Sequence, residues 1–283
     1  MQQIKLIECP RDAMQGWSEM IPTQTKIQYI NQLLEVGFDT LDFGSFVSPK
    51  AIPQLADTKE VLKGIRMSAT KLLAIIANLR GAEEAVQYDE ISYLGFPFSI
   101  SETFQQLNTN SSIAESLGRV GDIQKLCLQH KKQLVIYISM GFGNPYGETY
   151  NAEIAIKWVQ QLQALGIGIF AMSDTVGVSN PENIQTIFSH LNEAFPDLEF
   201  GAHFHSTKET ASEKIEAALQ SHCFRFDSAI GGIGGCPMAQ NDLVGNLATE
   251  QLLAYLQTKG FTMQINQEAL IKAQAIAASI FHL

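Results

Sequence analysis

Short apolar runs alternate with helical patterns along almost the whole chain. Eight runs rich in Val, Ile, Leu and Phe predict buried strands. The predicted strands are residues 4–8, 40–43, 72–76, 90–95, 133–139, 167–173, 200–205 and 224–230. Between and after them, apolar residues recur at the spacing of an amphipathic helix. The predicted helices are residues 23–36, 54–63, 81–87, 112–130, 152–165, 181–194, 208–220, 247–259 and 267–281.

This regular alternation determines the fold class that we expect. Strands that are continuously apolar, rather than alternating, are typical of parallel strands covered on both faces. Eight strand–helix units favour an α/β fold, the (β/α)8 TIM barrel, with additional C-terminal helices. An open doubly wound sheet, the alternative, normally has a glycine-rich phosphate loop after its first strand. Here that position is Cys9-Pro10-Arg11-Asp12. We therefore expect a single barrel domain over residues 1–283.

The composition and charge of the chain argue against some classes of binding partner. The 283 residues carry a net charge of −10, with 46% hydrophobic and 17% charged residues. This acidic balance argues against nucleic acid, which requires a basic surface. No apolar run approaches the length of a membrane-spanning helix, and the first residues lack the apolar core of a signal peptide. The four cysteines are scattered without CxxC spacing. We expect a cytoplasmic protein with free thiols and no membrane partner.

His203-Phe204-His205 is the first candidate for chemistry. Side chains on a strand repeat every two residues, so both imidazoles should point to the same side. Imidazole is the commonest protein ligand for a divalent metal. The alternative is a pair of hydrogen-bonded histidines at a polar strand end. A metal site requires further ligands from elsewhere in the chain.

Other polar residues lie near the ends of the predicted strands, where a barrel carries its catalytic groups. In chain order they are Arg11, Asp12, Gln15, Asp42, Ser45, Tyr137, Ser139, Asp174 and Asn246. Carboxylate, imidazole and amide donors together suit Mg²⁺ or Mn²⁺ better than Zn²⁺. A fixed guanidinium beside them could hold a developing oxyanion. Each residue alone has a structural explanation, such as a helix cap or a core hydroxyl, but their convergence favours an active site.

A glycine-rich stretch follows the last predicted strand. From Gly231 to Gly235 four glycines surround Ile233, and Cys236-Pro237 follows. Glycine adopts backbone conformations that other residues avoid, so this stretch predicts a mobile loop that can close over a site. A thiol at its tip could donate or accept a proton there. The alternative is a structural turn with a buried cysteine.

These motifs resemble the 3-hydroxy-3-methylglutaryl-CoA lyase family, whose members are metal-dependent barrels that cleave or form carbon–carbon bonds. The resemblance runs nearly end to end. The segments that carry it are Pro10-Arg11-Asp12 with Gln15, residues 45–50 with Pro53-Gln54, residues 174–178, His203-Phe204-His205, residues 231–237 and residues 245–250.

The resemblance implies a role for each candidate residue. The residues that would bind the divalent metal, Mg²⁺ or Mn²⁺, are Asp12, His203, His205 and Asn246. It implies that Arg11 stabilises the enolate of the thioester and that Cys236 acts from the loop as an acid or base. The residues that would complete the polar shell are Asp42, Tyr137 and Asp174. Those that would lie near the acyl-CoA substrate are Gln15, Ser45 and Lys50.

The activity implied is the retro-Claisen cleavage of 3-hydroxy-3-methylglutaryl-CoA to acetyl-CoA and acetoacetate. Two differences from the family pattern leave a related aldolase or condensing enzyme as an alternative: Ser206 stands in place of an Asp, and Ser18 in place of a basic residue. An alternative of another class is a non-catalytic, metabolite-binding barrel. The joint presence of the arginine, the four ligands and Cys236 argues against it. Besides an acyl-CoA, the partner considered is a second copy of the chain in a homodimer.

Overall fold

The structure is a computed structural model that describes residues 3–235 and 244–283. In these ranges parallel strands form one closed barrel in chain order. The strands are β1 (Lys5–Glu8), β2 (Thr40–Ser45), β3 (Lys71–Ile75), β4 (Ile91–Ser99), β5 (Gln133–Ser139), β6 (Ile169–Ser173), β7 (Glu199–His203) and β8 (Arg225–Ser228). Pairing of β1 with β8 closes the barrel. The expected (β/α)8 TIM barrel is confirmed.

Helices surround the barrel and continue beyond its last strand. They are α1 (Pro10–Gln15), α2 (Thr23–Leu34), α3 (Thr58–Lys63), α4 (Leu79–Ala85), α5 (Glu102–Thr109), α6 (Ile113–Gln129), α7 (Ala152–Ala164), α8 (Pro181–Ala194), α9 (Ala211–Gln220), α10 (Thr249–Thr258) and α11 (Gln267–Phe281). Short 3₁₀ turns lie at Pro53–Leu55 and Ile230–Gly232. None of the helices in the described ranges is long and apolar enough to cross a membrane.

Alternation along the strands separates two interiors. One row of side chains faces outward and packs under the helices in a large core, to which Leu41, Phe96 and Phe170 belong. The other row faces the barrel axis. On β3 to β6 this inward row is mainly apolar. Its residues form a small cluster, which consists of Leu73, Ile75, Tyr93, Val135, Tyr137 and Ala171. On β2, β7 and β8 it carries charged groups, which are Asp42, Glu199, Arg225 and Asp227. The charged half continues into the site.

Elements with strong local signals have the bounds predicted from the sequence. For β5, α8 and α11 the observed and predicted limits agree. In α8 the side chain of Asn180 accepts hydrogen bonds from the N–H groups of Glu182 and Asn183, and Pro181 occupies the first helical position. These groups satisfy donors that the first turn of a helix leaves free.

Two helices were not predicted. Residues 10–12 were interpreted as the end of the first strand, but α1 begins at Pro10. The stretch before residue 112 was interpreted as a long polar loop, but it contains α5. Ser101 caps α5 by accepting from Phe104 N, and Phe104 is its one fully buried apolar side chain. With so few apolar residues, α5 shows no helical spacing of hydrophobic positions in the sequence. The capping serine before it can be recognised from the sequence alone.

The strand with the histidine pair is shorter than predicted. It ends at His203, because the next residues pair with the segment after the glycine-rich loop instead of with β8. Ser206 N donates to Gly245 O at 2.9 Å, and Leu247 N donates to Phe204 O at 3.0 Å. An isolated antiparallel bridge joins His205 to Asn246. The two histidines therefore come from a strand end and from the connection after it.

Candidate active site

Helix α1 brings three of the predicted residues to the mouth of the barrel. The guanidinium of Arg11 forms hydrogen bonds in two directions. Its Nε and Nη2 donate to Asp42 Oδ2 at 2.9 and 2.5 Å. Its Nη1 donates to Asp12 Oδ1 at 2.7 Å and to Gln15 Oε1 at 2.8 Å. Arg11 is buried and held in one orientation between the ends of β1 and β2.

Asp12 lies beside both histidines. A carboxylate oxygen of Asp12 and one ring nitrogen each from His203 and His205 lie within 4.8 Å of one another. Asn246 Nδ2 donates to Asp12 Oδ2 at 2.7 Å, which leaves the amide oxygen of Asn246 as a fourth donor. One carboxylate, two imidazoles and one amide oxygen form a donor set that fits a divalent metal of mixed N/O preference. The structure therefore brings the four predicted ligands together.

A second group of donors shares His203. Ligand atoms of Cys9, His203 and Asp227 also lie within 4.8 Å of one another. Burial raises the pKa of the Cys9 thiol well above its ordinary value. A thiol binds metals as the thiolate, so Cys9 is a poor ligand near pH 7. The group that contains Asp12 is the better metal site.

Three neighbours fix the ring of His203. Its Nδ1 lies 3.2 Å from Asp227 Oδ2. The ring of Tyr137 meets it edge-on with 5.7 Å between centroids, and that of His205 does so with 5.6 Å. Because Nδ1 faces Asp227, Nε2 remains for a metal ligated by Asp12 and His205.

Burial and local charges set the protonation of the ligands. Burial, with the charge of His203, lowers the pKa of His205 to about 4, so His205 is neutral near pH 7. Burial also works to lower the pKa of His203, but Asp227 and Asp12 outweigh it and the pKa is raised. Burial works to raise the pKa of Asp12, but Arg11 and the two histidines hold it below its ordinary range. The site thus presents an anionic carboxylate and at least one neutral imidazole, the forms that bind metals.

A cavity of about 390 Å³ adjoins these groups. Its polar lining includes Arg11, Asp12, Gln15, Tyr137, His203 and His205. Its apolar lining includes Val47, Ile52, Ile75, Ala77, Pro97 and Phe104. An apolar pocket with a few convergent polar groups is the usual form of a small-molecule site. The structure brings seven of the candidate residues to this one cavity, the six polar residues just named and Ser139.

Five predicted residues in the described ranges do not line the cavity. Asp42 and Asn246 are hydrogen-bonded to the lining residues Arg11 and Asp12, and the other three are Asp174, Ser45 and Lys50. Asp174 is buried behind the cavity, where its Oδ2 accepts from Lys214 Nζ at 2.8 Å and from Ser179 Oγ at 2.5 Å. Ser45 is buried at the end of β2 and accepts from the backbone N–H two residues later. Lys50 is exposed on the turn that follows. Lys214 Nζ also donates to His205 O at 2.7 Å, so Asp174 supports the histidine segment from behind.

The glycine-rich loop lies against the metal-binding group. Asn246 Nδ2 donates to Ile233 O at 2.8 Å. A Cβ on Gly234 would collide with the Asn246 amide and would lie 2.9 Å from the Asp12 carbonyl oxygen. Cys236, the predicted acid or base, lies outside the described residues. Of its described neighbours, Gly234 lies beside Asp12 and Asn246.

Sequence reasoning missed residues that support the site. Asp227, which holds His203, lies within a predicted strand that was interpreted only as an apolar run. An inward position near the carboxyl end of β8 was the signal that could have identified it. Lys214 lies in a predicted helix, and a lysine there gave no sign of burial. The wall formed by Phe104 and its neighbours was missed together with α5.

A closed α/β barrel with a fixed arginine and an N/O donor group at one mouth has the arrangement of a metal-assisted barrel enzyme. The sequence matches the HMGL-like family over residues 3–276. The chain belongs to that family, and the resemblance seen in its motifs is confirmed.

Relatives match over most of their length. The chain is 34% identical over 265 residues to hydroxymethylglutaryl-CoA lyase of Bacillus subtilis, covering 93% of this chain and 88% of the relative. It is 33% identical over 276 residues to the mitochondrial hydroxymethylglutaryl-CoA lyase of Mus musculus, covering 96% and 83%.

Solved structures agree. The HMG-CoA lyase of Brucella melitensis superposes with a TM-score of 0.92 at 28% identity, covering 99% of both chains. An HMG-CoA lyase of Acinetobacter baumannii, solved with coenzyme A and 3-methylmalate, has a TM-score of 0.91 at 33% identity and covers 99% and 92%.

Proposed function

We propose that this protein is a divalent-metal-dependent carbon–carbon lyase that cleaves 3-hydroxy-3-methylglutaryl-CoA to acetyl-CoA and acetoacetate. The observation that carries the proposal is the convergence of Arg11 with Asp12 and the histidine pair on one cavity. Membership of the HMGL-like family supports the reaction class. The coenzyme A and 3-methylmalate bound to the Acinetobacter baumannii enzyme support an acyl-CoA with a short branched hydroxy acid as substrate.

The reaction has two demands that act at different times. First, the tertiary hydroxyl loses its proton and the bond between C2 and C3 breaks, which leaves the ketone of acetoacetate. Second, the electron pair left on C2 becomes the enolate of the thioester, and a proton delivered to C2 gives acetyl-CoA. Mg²⁺ or Mn²⁺, held by Asp12, His203, His205 and Asn246, would supply Lewis-acid polarisation of the hydroxyl and carboxylate oxygens.

Arg11 stabilises the enolate that forms in the second step. Its guanidinium lines the cavity and is already oriented by Asp42 and Asp12. A charge fixed before the reaction stabilises an oxyanion without reorganising as that oxyanion forms. Negative charge on the thioester oxygen appears only after bond cleavage, so the interaction favours the transition state over the bound substrate. The apolar lining around Ile75 and Phe104 keeps water from the enolate.

Proton transfer completes the reaction. Cys236 follows Gly235, the last residue described before the gap, and Gly234 lies against Asp12 and Asn246. We assign to Cys236 the acid or base function at the end of this loop. A thiol with access to both a hydroxyl and a carbanion can act in either direction.

The test is acetoacetate release from the CoA substrate with Mg²⁺ or Mn²⁺, comparing the wild type with Arg11→Met. The wild type should release acetoacetate, and the variant should lose on the order of 10²-fold or more of kcat, the usual effect of removing an oxyanion donor. Arg66→Met is the matched control, because Arg66 is exposed and pairs with Glu35 at the surface. Absence of release from a folded, metal-loaded wild type would overturn the proposal.

One observation retains a second candidate, an aldolase or condensing enzyme for another hydroxy acid. Ser206 occupies the position after the histidine pair, and its buried hydroxyl has no hydrogen-bond partner within the described residues. A site with an unpaired polar group there could suit a different acyl group. Assays with other hydroxyacyl-CoA and hydroxy-acid substrates would reveal this activity.

A further inference from the structure

We infer that Arg225 and Asp227 of β8 are positioning residues that hold His203 in its metal-binding orientation. The inference rests on the proposed function, because His203 belongs to the proposed metal group. Asp227 and His203 are direct partners in the β7–β8 register, so both side chains face the barrel axis at the same height. Asp227 Oδ2 lies 3.2 Å from His203 Nδ1, and the side chain of Asp227 is fully buried.

The second oxygen of Asp227 is also held. Arg225 lies two residues earlier on the same inward row, and its Nη1 donates to Asp227 Oδ1 at 3.3 Å. Both side chains are buried, with exposed fractions of 6% and 0%. A buried carboxylate is stable only with a charge or donor partner, and a guanidinium remains protonated there. Asp227 is thus fixed through one oxygen by Arg225 and presents the other to His203.

The pair belongs to a chain of alternating charges that begins at the partly exposed amino-terminal end of the barrel. Arg225 Nε lies 3.2 Å from Glu199 Oε1, and Glu199 Oε2 lies 2.6 Å from Lys5 Nζ. Lys5, Glu199 and Arg225 are each the first residue of a strand, whereas His203 is the last residue of its strand. The chain therefore runs from the amino-terminal end of the barrel to the metal group. These charged residues lie on β1, β7 and β8, whereas the inward residues of β3 to β6 form the apolar cluster.

Gly201 leaves the space that the arginine needs. It lies between Glu199 and His203 on the inward row of β7. A Cβ at this position would lie 2.9 Å from both Cγ and Cδ of Arg225. A larger residue would displace the arginine, so the backbone of β7 is matched to a buried arginine on β8.

Asp227 fixes both the orientation of the His203 ring and the nitrogen that carries the hydrogen. A carboxylate at Nδ1 favours the form with hydrogen on Nδ1 and a free lone pair on Nε2, the nitrogen that Asp227 leaves available to a metal. Loss of such an outer partner typically weakens metal affinity by about 10- to 100-fold. A pair that only stabilised the barrel interior would lower Tm and leave metal affinity unchanged.

The experiment measures Mn²⁺ affinity without substrate, by electron paramagnetic resonance of the free ion, in the full chain. Asp227→Asn should weaken Mn²⁺ binding by about 10- to 100-fold. Arg225→Met and Gly201→Ala should each weaken it by less, since Asp227 remains. Asp57→Asn is the matched control: it removes the carboxylate partner of another buried cation, Lys26, and should leave Mn²⁺ affinity unchanged.

A second measurement is made on the wild type and uses a variant only for resonance assignment. The ¹⁵N shifts of the wild-type histidines, assigned with His203→Gln and followed to a pH at which the ring no longer changes, should show hydrogen on Nδ1 of neutral His203. Hydrogen on Nε2, or equal Mn²⁺ affinity in the wild type and Asp227→Asn, would overturn the inference while the proposed function stands. Mn²⁺ binding with the expected variant effects but no substrate cleavage would overturn the proposed function alone. No Mn²⁺ binding by the wild type would overturn both.

Discussion

Arg11 links the parts of the site through a single planar group. Three of its nitrogens contact Asp42, Asp12 and Gln15, which differ in chain position and in role. A lysine could not make this set of bonds, because an ammonium lacks the flat fork that meets two partners on separate edges. Burial raises the pKa of Asp42 to about 6 although Arg11 opposes the shift. Asp42 therefore carries a negative charge near pH 7 and holds the arginine in one orientation.

Tyr137 supplies the first prediction at this scale. Its hydroxyl is buried beside the cavity and has no hydrogen-bond partner in the described part of the chain. Burial of such a group without a partner costs about 1–3 kcal/mol, so Tyr137→Phe should keep or raise the free energy of unfolding. We expect kcat/KM to fall roughly tenfold or more, since a hydrogen bond of about 1.4 kcal/mol to the substrate would be lost.

Tyr29→Phe provides the matched control for Tyr137→Phe. Tyr29 also has a buried hydroxyl with no hydrogen-bond partner among the described residues, but it lies on α2, away from the cavity. Its replacement should change stability in the same direction and leave kcat/KM unchanged. A full retention of kcat/KM in Tyr137→Phe would remove the hydroxyl from the substrate site.

The site was predictable from the sequence where barrel topology places residues at strand ends. That rule gathered Arg11, Asp12 and the histidine pair correctly, since it needs only strand positions. It did not separate residues that face the cavity from those that lie behind it. Asp174 follows its strand as predicted, yet Lys214 on α9 draws it away from the cavity. Partners supplied by a distant helix leave no mark near the strand end itself.

At the scale of elements, the glycine-rich loop and the segment around Asn246 act as one unit. The N–H of Ser206 and the amide of Asn246 bind this segment to the histidine connection and to the loop. The fit is close at Gly234, whose φ of +105° falls in the left-handed region. This glycine is required both for its backbone conformation and for the space that it leaves.

Gly234→Ala tests whether this close approach serves the metal group. The new Cβ would push against Asn246 and the Asp12 carbonyl, so we expect Mn²⁺ affinity and turnover to fall at least tenfold. Gly260→Ala is the matched control. Gly260 also has a positive φ, +80°, but a Cβ added there would have no atom within 4 Å. Each variant should lose on the order of 1 kcal/mol of stability because of the positive φ, and Gly234→Ala should lose more because its Cβ also collides with Asn246. Equal metal affinity in the two would mean that the loop does not position the ligands.

Elements were predicted from the sequence where local signals are complete. The cap of α8 and its apolar period both lie within the element, so its limits could be read from the chain. The short α1 has no such period, and its stability comes from contacts of Arg11 with β2. The early end of β7 follows from pairing with residues more than forty positions later. Such distant partners are not encoded in local patterns.

At the scale of the molecule, the closed barrel was predictable because strand count and alternation leave few topologies. The division of its interior was not. Inward positions on β7 and β8 hold Arg225 and Asp227, whereas those on β3 to β6 hold an apolar cluster. The sequence of a short strand contains inward-facing and outward-facing residues in alternation. The hydrophobic pattern alone therefore does not reveal which charged side chains meet at the barrel axis. The ionic half leads to the metal group, and the apolar half bounds the cavity.

The seam that closes the barrel contains a second buried carboxyl, Glu8 at the end of β1. Its Oε1 accepts from Ile230 N at 2.8 Å, and its Oε2 accepts from Thr249 Oγ1 at 2.5 Å. These bonds join the first strand to the turn after the last strand and to the start of α10. Burial raises the pKa of Glu8 to about 8. The folded protein therefore binds a proton that the unfolded chain, with a pKa of 4.5 for this group, releases.

This difference predicts a direction for stability against pH. Between about pH 4.5 and 8 the folded state holds more protons, so the stability due to protonated Glu8 is full below this window and is lost as pH rises through it. Glu8→Gln, which keeps the shape and stays neutral, should lose less stability from pH 5 to pH 8.5 than the wild type. The difference should reach a few kcal/mol, at about 1.4 kcal/mol per pKa unit.

Urea unfolding at several pH values would measure these slopes. Glu268→Gln is the control, because Glu268 is exposed and its hydrogen bond from Lys272 lowers its pKa, which places its titration below the window. That variant should follow the wild type from pH 5 to pH 8.5. Identical slopes for the wild type and Glu8→Gln would show that Glu8 does not take up a proton on folding. The seam would then hold a carboxylate ion whose charge is balanced by its two donors.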